Sequence, residues 1–192
     1  GHPWRASLQE IEKSAAKAAE IANDLGTFSS TEREPRAPAA GNLNSILRRG
    51  VDRLRENQTR SNIHFAFQLE KSLYVCKFDE SKLQQAFTKI LDNALEAVPD
   101  EGRITISTRN LELTEPTQDR SVRLSPGPYV CVEFKDTGTG IPDTVLPKVF
   151  EPFFTTKGSN HRGLGLAWVY GIVTNHGGGV AISSQPGNRT SV

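Results

Sequence analysis

Neither sign of charge dominates this chain of 192 residues: 23 Lys and Arg stand against 22 Asp and Glu, a formal charge of +1. A broad field able to gather nucleic acid is thereby excluded, and any anion must be caught locally. Cysteine is scarce. Cys76 and Cys131 are far apart, each in an apolar strand-like run, which points to reduced core thiols of a cytosolic chain rather than a disulfide or metal site. Long hydrophobic runs are missing too; nothing approaches the ~20 consecutive apolar residues of a membrane-spanning helix, and no signal peptide is visible. No internal repeat recurs at a fixed period. What is present is an apolar fraction of 36%, enough for one ordinary domain with an appendage.

The appendage comes first. Leu8, Ile11, Ala15, Ala18, Ala22 and Leu25 alternate steps of three and four, a heptad seam on one helix. Such a helix either packs on its own domain or forms a bundle or coiled-coil arm. Residues 31–42 carry Pro35, Pro38 and Gly41 without periodicity and read as a linker, so the expected division is a helix over residues 1–30, a linker over 31–42 and a domain over 43–192.

Within the domain, Asn42 or Asn44 is placed to cap a helix through Ile46, Leu47, Val51 and Leu54. Ile63, Phe65, Phe67 and Leu69 alternate with polar or small residues, and a second run follows over residues 73–78; the pair reads as a hairpin. Asp79 opens a helix with an apolar stripe from Leu83 to Val98, and Pro99 stops it. Strands are expected over residues 103–109 and 129–134 with a polar, exposed hairpin excursion between them, then a short helix near Val145, a longer one after Gly163, and a last strand from Val180. Hairpins interleaved with helices predict an α+β fold, a mixed sheet covered on one face by helices. His64 sits on the polar side of its strand and reads as a surface histidine.

Four short stretches carry chemistry. Asn93 and Glu96 share a helix face, and both offer oxygens of the kind Mg²⁺ takes alongside substrate phosphates. Asp136-Thr137-Gly138-Thr139-Gly140-Ile141-Pro142 sets a carboxylate at a glycine turn, where a flat base can lie on the backbone and donate its amino group. Phe150-Glu151-Pro152-Phe153-Phe154-Thr155-Thr156-Lys157 leads into a polar loop whose Lys157, His161 and Arg162 are suited to a polyphosphate, with plain exposed loop charge as the competing reading. Gly163-Leu164-Gly165-Leu166 opens a helix whose free N–H groups suit phosphate.

In this order the four stretches resemble the N, G1, F and G2 boxes of the ATP-binding domain of sensor histidine kinases, and the resemblance covers about residues 42–192. It implies the gyrase-type ATP fold, a two-layer α/β sandwich, with ATP and Mg²⁺ as ligands. Carried over, Asn93 would hold Mg²⁺, Asp136 would accept the adenine amino group with Gly138 and Gly140 beneath the base, and Thr190 would support Asp136. Gly163, Leu164, Gly165 and Leu166 would meet phosphates, helped by Lys157 and Arg162, while Phe150, Phe153 and Phe154 would anchor a mobile lid.

The heptad helix is similar to the second helix of the family's dimerisation hairpin and implies a homodimer. None of His2, His64, His161 or His176 stands in the family's phosphoacceptor setting; His176 reads as a helix C-terminal histidine. The acceptor histidine helix would come from outside this chain, and a response regulator would take the phosphoryl next. The implied location is cytoplasmic, any membrane anchor lying elsewhere in a longer protein, with no nucleic acid and no membrane contact here. Lys89, His161 and Arg189 depart from the family pattern, which also implies an alternative: a non-catalytic docking or regulatory module of the same fold. A gyrase or mismatch-repair type ATPase is disfavoured, since Lys89 stands where such enzymes carry a Glu base.

Overall fold

The computed structural model describes Trp4 and residues 39–57, 62–119, 122–158 and 161–192. All of these except Trp4 fall in the compact unit Pro38–Val192. The heptad helix and most of the expected linker lie outside the described residues. The linker's last part does not stay irregular, because Ala39–Ala40 forms strand β1, antiparallel to β3, Lys77–Phe78.

Helix α1, Leu43–Asn57, is capped by Asn42, whose Oδ1 accepts the Ser45 N–H at 3.3 Å. The other candidate, Asn44, instead donates to the Glu70 carbonyl at 2.8 Å and accepts from the buried Thr108 hydroxyl at 3.0 Å. Helix α2, Glu80–Ala97, starts where the spacing predicts: the Asp79 carboxylate accepts from the Ser81 and Lys82 amides at 2.8 and 3.1 Å. Burial pushes the Asp79 carboxyl up, but a bond from the Ser81 hydroxyl, these two amide bonds and the nearby His176 together outweigh it and hold the group below its ordinary range. Helix α3, Gly165–Asn175, completes the helical layer.

Five strands form the main sheet in the order β2 (Ile63–Leu69), β4 (Gly102–Leu113), β7 (Gly127–Asp136), β9 (Arg189–Ser191) and β8 (Ser183–Gln185). β2 and β4 run parallel, and every other neighbouring pair is antiparallel. The expected hairpin of residues 63–78 is therefore corrected: β2 pairs with β4 across the α2 crossover, and the second run contributes only β3. Alternation along a strand sets which face is buried but says nothing about its partner.

The polar excursion is a small hairpin of β5, Thr117–Asp119, and β6, Val122–Leu124. The final strands also differ from expectation. Val180 is a buried loop residue, β8 begins only at Ser183, and β9 pairs Asp136 with Thr190 while Val192 still exchanges both backbone hydrogen bonds with Phe134 at 2.9 and 3.0 Å.

The core lies between this sheet and the helices. Leu83, Ala86, Phe87, Ile90, Leu91 and Ala94 of α2 face Ile104, Ile106 and Phe134 of the central strands, with Phe87 and Phe134 ring centroids 5.5 Å apart. Ile46, Leu47 and Val51 close the core from α1, and Val169 from α3. Cys76 and Cys131 are free thiols but only half-buried, and Cys76 packs against the edge of this core rather than filling it. Among the described residues no helix is long and apolar enough to cross a membrane.

Candidate nucleotide site

β7 ends in Asp136, whose side chain points inward and is 5% exposed. Its Oδ1 accepts the Gly138 N–H at 2.8 Å. Burial pushes the carboxyl above the ordinary range, while the backbone N–H groups of Gly138, Thr190 and Asp136 itself pull the other way, and no charged neighbour contributes. A β-carbon on Gly138 would lie 2.7 Å from the Ala97 backbone and from Asp136 Oδ1, so only glycine lets the turn sit against the end of α2. The Thr139 N–H reinforces that seat by donating to the Ala97 carbonyl at 3.0 Å.

Gly140 is required for a different reason. Its φ is +69°, and a β-carbon there would strike the Gln185 carbonyl at 2.2 Å. The turn between β8 and β9 thus presses on the Asp136 loop, and the Gly187 N–H donates to the Thr139 carbonyl at 2.7 Å. Thr190 supports Asp136 through its backbone amide; its hydroxyl is committed elsewhere. Ser184 Oγ accepts the Ile141 N–H at 2.7 Å and donates its one proton to the Arg189 carbonyl at 2.9 Å, so the Thr190 hydroxyl donates to Ser184 at 2.9 Å. Ser184 is a member of the site that sequence reasoning missed, since a serine in a short polar strand carries no signal of its own.

Asn93 lies one turn before the end of α2, half-buried, with the opening of α3 against it: a β-carbon on Gly165 would stand 3.7 Å from Asn93 Nδ2. Lys157 reaches the same place. Its ammonium donates to Asn93 Oδ1 at 3.2 Å and forms an ion pair with Glu96, and His161 Nδ1 stands 3.8 Å from the same Glu96 carboxylate. The fold thus brings the expected amide, carboxylate and loop lysine together. Burial pushes the neighbouring Asp92 carboxyl up, Lys89 and Lys157 pull it down, and Glu96 pushes it up, so these charges act on one another. Arg162 is half-buried next to Gly163.

α3 begins without a side-chain cap: Leu164 occupies the N-cap position, and no acidic residue stands in the first turn. Uncapped helix-start amides of this kind are suited to an anion. Gly163, at φ +66°, packs against the backbone of Phe153 and Phe154, where a β-carbon would lie 2.3 Å from the Phe154 carbonyl. The Leu166 side chain packs against the core, leaving its backbone at the start of α3.

The three phenylalanines divide. Phe150 is buried and packs on Tyr170 of α3 with centroids 5.8 Å apart. Phe154 is half-buried. Phe153 anchors nothing: it is 62% exposed and holds a left-handed φ of 67°, a conformation costing an L-residue about 1–2 kcal/mol.

Of the departures from the family pattern, Arg189 and Lys89 are turned to solvent and His161 stands beside the Lys157–Glu96 pair. Arg189 is exposed, and strand alternation turns its side chain away from the face of Thr190. Lys89 is exposed on α2, and His161 faces Glu96. His176 does cap the end of α3. Its Nδ1 donates to the Ile172 carbonyl at 2.7 Å and its Nε2 accepts the Asp79 N–H at 3.0 Å, joining the end of α3 to the start of α2. His64 is exposed on β2. Among the described residues no group of three or more His, Cys, Asp or Glu is set to hold a metal, so a cation here would rest on Asn93 and groups beside it.

Comparison with known proteins agrees with this geometry. Over the whole unit, the chain is similar to the mycobacterial sensor histidine kinase MprB, with a TM-score of 0.62 and 25% identity over 80% of this chain and 94% of that one. The same fold occurs in the histidine kinase ThkA in complex with the response regulator protein TrrA, with a TM-score of 0.63 and 19% identity over 96% of this chain and 50% of that one. By sequence it is 34% identical to the sensor kinase CckA of Brucella abortus over 185 residues, 96% of this chain but only 19% of that protein. The chain thus spans about a fifth of that relative's length. Residues 78–192 match the family described as histidine kinase-, DNA gyrase B-, and HSP90-like ATPase. With the carboxylate turn, the Asn93 helix and the uncapped α3 in one site, the chain belongs to this ATPase family and is similar, within it, to the sensor histidine kinases.

Proposed function

We propose that this chain binds Mg-ATP and presents the γ-phosphoryl group to a histidine on a helix outside it, as the catalytic part of a sensor histidine kinase. The observation that carries the reading is the Asp136 carboxylate, buried and held by N–H groups alone. Its remaining lone pairs suit the adenine amino group, and Gly138 puts no side chain on the turn beside it. The uncapped amides of α3 would take phosphate oxygens, with Lys157 and Arg162 as further cationic groups.

The metal side fits on its donor chemistry. Asn93 Oδ1 already accepts a cation, the Lys157 ammonium, and Mg²⁺ binds through few protein oxygens plus phosphates and water. Asn93 would hold the ion, and when bound it would neutralise charge on the transferring phosphoryl group. What remains for the protein is positioning, which a rigid pair of helices and a sheet edge provide. Both ring nitrogens of His176 are engaged, and no histidine of the chain stands in the family's phosphoacceptor setting, so the chain is not expected to label itself. A response regulator as next acceptor, a homodimer through residues 1–30 and a cytoplasmic location belong to the same proposal.

Calorimetry with ATP, ADP and GTP, each with and without Mg²⁺, tests it. Adenine nucleotides should bind and GTP should not, because guanine offers a carbonyl where Asp136 needs a donor. Asp136→Asn should abolish ATP binding while the fold persists; retained affinity in that variant overturns the assignment.

A further inference from the structure

The Lys157 ammonium occupies the place on Asn93 that the proposed cation requires, and its charge is balanced by Glu96. His161, beyond the next few residues of the same segment, converges on the same carboxylate. Glu96 stands on α2 one turn beyond Asn93 and therefore on its face. We propose that Glu96 is a positioning residue that holds Lys157 on Asn93 in the nucleotide-free protein, so that the metal–nucleotide complex and this clasp exclude one another. The inference rests on the ATP-binding reading and adds a device to it: Glu96 parks the phosphate-binding lysine, and it keeps Asn93 occupied until a metal arrives.

The strength of the clasp follows from exposure. The Lys157 and Glu96 side chains are 38% and 44% exposed, so the pair is weak enough to be displaced by a ligand. A weak clasp lowers apparent affinity by the fraction of molecules that are unclasped. Glu96→Gln should therefore bind Mg-AMPPNP roughly two- to five-fold more tightly than wild type, with a smaller gain for the metal-free nucleotide, which does not compete for Asn93. Simple removal of a negative charge near a polyanion gives the opposite order, the larger gain falling on the metal-free ligand.

A second measurement reads the clasp without nucleotide. Trypsin cuts after lysine and needs the side chain free, so cleavage of the Lys157–Gly158 bond should be several-fold faster in Glu96→Gln than in wild type. Equal cleavage rates overturn the proposal. So does weaker binding of Mg-AMPPNP by Glu96→Gln, which would make Glu96 a ligand of the metal instead. Should the wild-type chain bind no nucleotide, the ATP-binding reading falls, and the trypsin rates still decide whether the clasp exists.

Discussion

At the scale of single residues, the carboxylate proposed to read the base lowers the stability of the protein without ligand. Burial raises the Asp136 carboxyl above its ordinary value of 3.8. Between that value and the raised one, the native state binds more protons than the unfolded chain, so stability falls as pH rises through this window. At neutral pH the ionised group is a net cost, and Asp136→Asn, which keeps an acceptor for the Gly138 N–H, removes it. The variant should melt higher than wild type at pH 7 without nucleotide, and the gain should fade as pH falls below the window. Thermal melts from pH 3 to 8 check this, and a variant less stable at pH 7 would contradict it. Residues with a local signature were legible in the sequence: Asp79 before an apolar stripe, Gly138 and Gly140 after a strand, Asn93 beside Glu96. Ser184 and the Thr190 amide were not, since each acts through a partner set by sheet register, and Phe153 was misjudged because an aromatic in a motif reads as an anchor whether its ring points in or out.

At the scale of elements, α2 joins both halves of the site, carrying Asn93 and Glu96 on one face and receiving the Asp136 turn at Ala97. Its start is tied to the end of α3 by His176. Replacing His176 with Ala leaves the Asp79 N–H and the Ile172 carbonyl without their partner, which should lower stability by about 1–3 kcal/mol. Urea unfolding measures the loss; a change within error would mean that water replaces the ring at no cost. Helix limits were readable because caps and stripes are local patterns. Strand partners were not, since β2 lies beside β4, beyond the α2 crossover, and not beside β3, which is nearer in sequence.

At the scale of the whole molecule, the layered fold follows from the interleaving of hairpins and helices, and four motifs in order pointed to one ATP site. The Asp136 end of that site depends on the β7–β9 register, Asp136 opposite Thr190. That pairing joins segments far apart in the chain, and contacts of this kind close late because loop entropy opposes them. The helices α1 and α2 with β2, β4 and β7 have most of their partners nearer in sequence and are expected to assemble first. In refolding from urea, the far-UV dichroism should therefore recover before the fluorescence of a bound nucleotide analogue, and simultaneous recovery would refute that order. Between the two events lies an interval in which the protein has its shape but no recognition: a chain still waiting for β9 is invisible to ATP, so ligand cannot rescue it from misfolding and protects only molecules that have already finished.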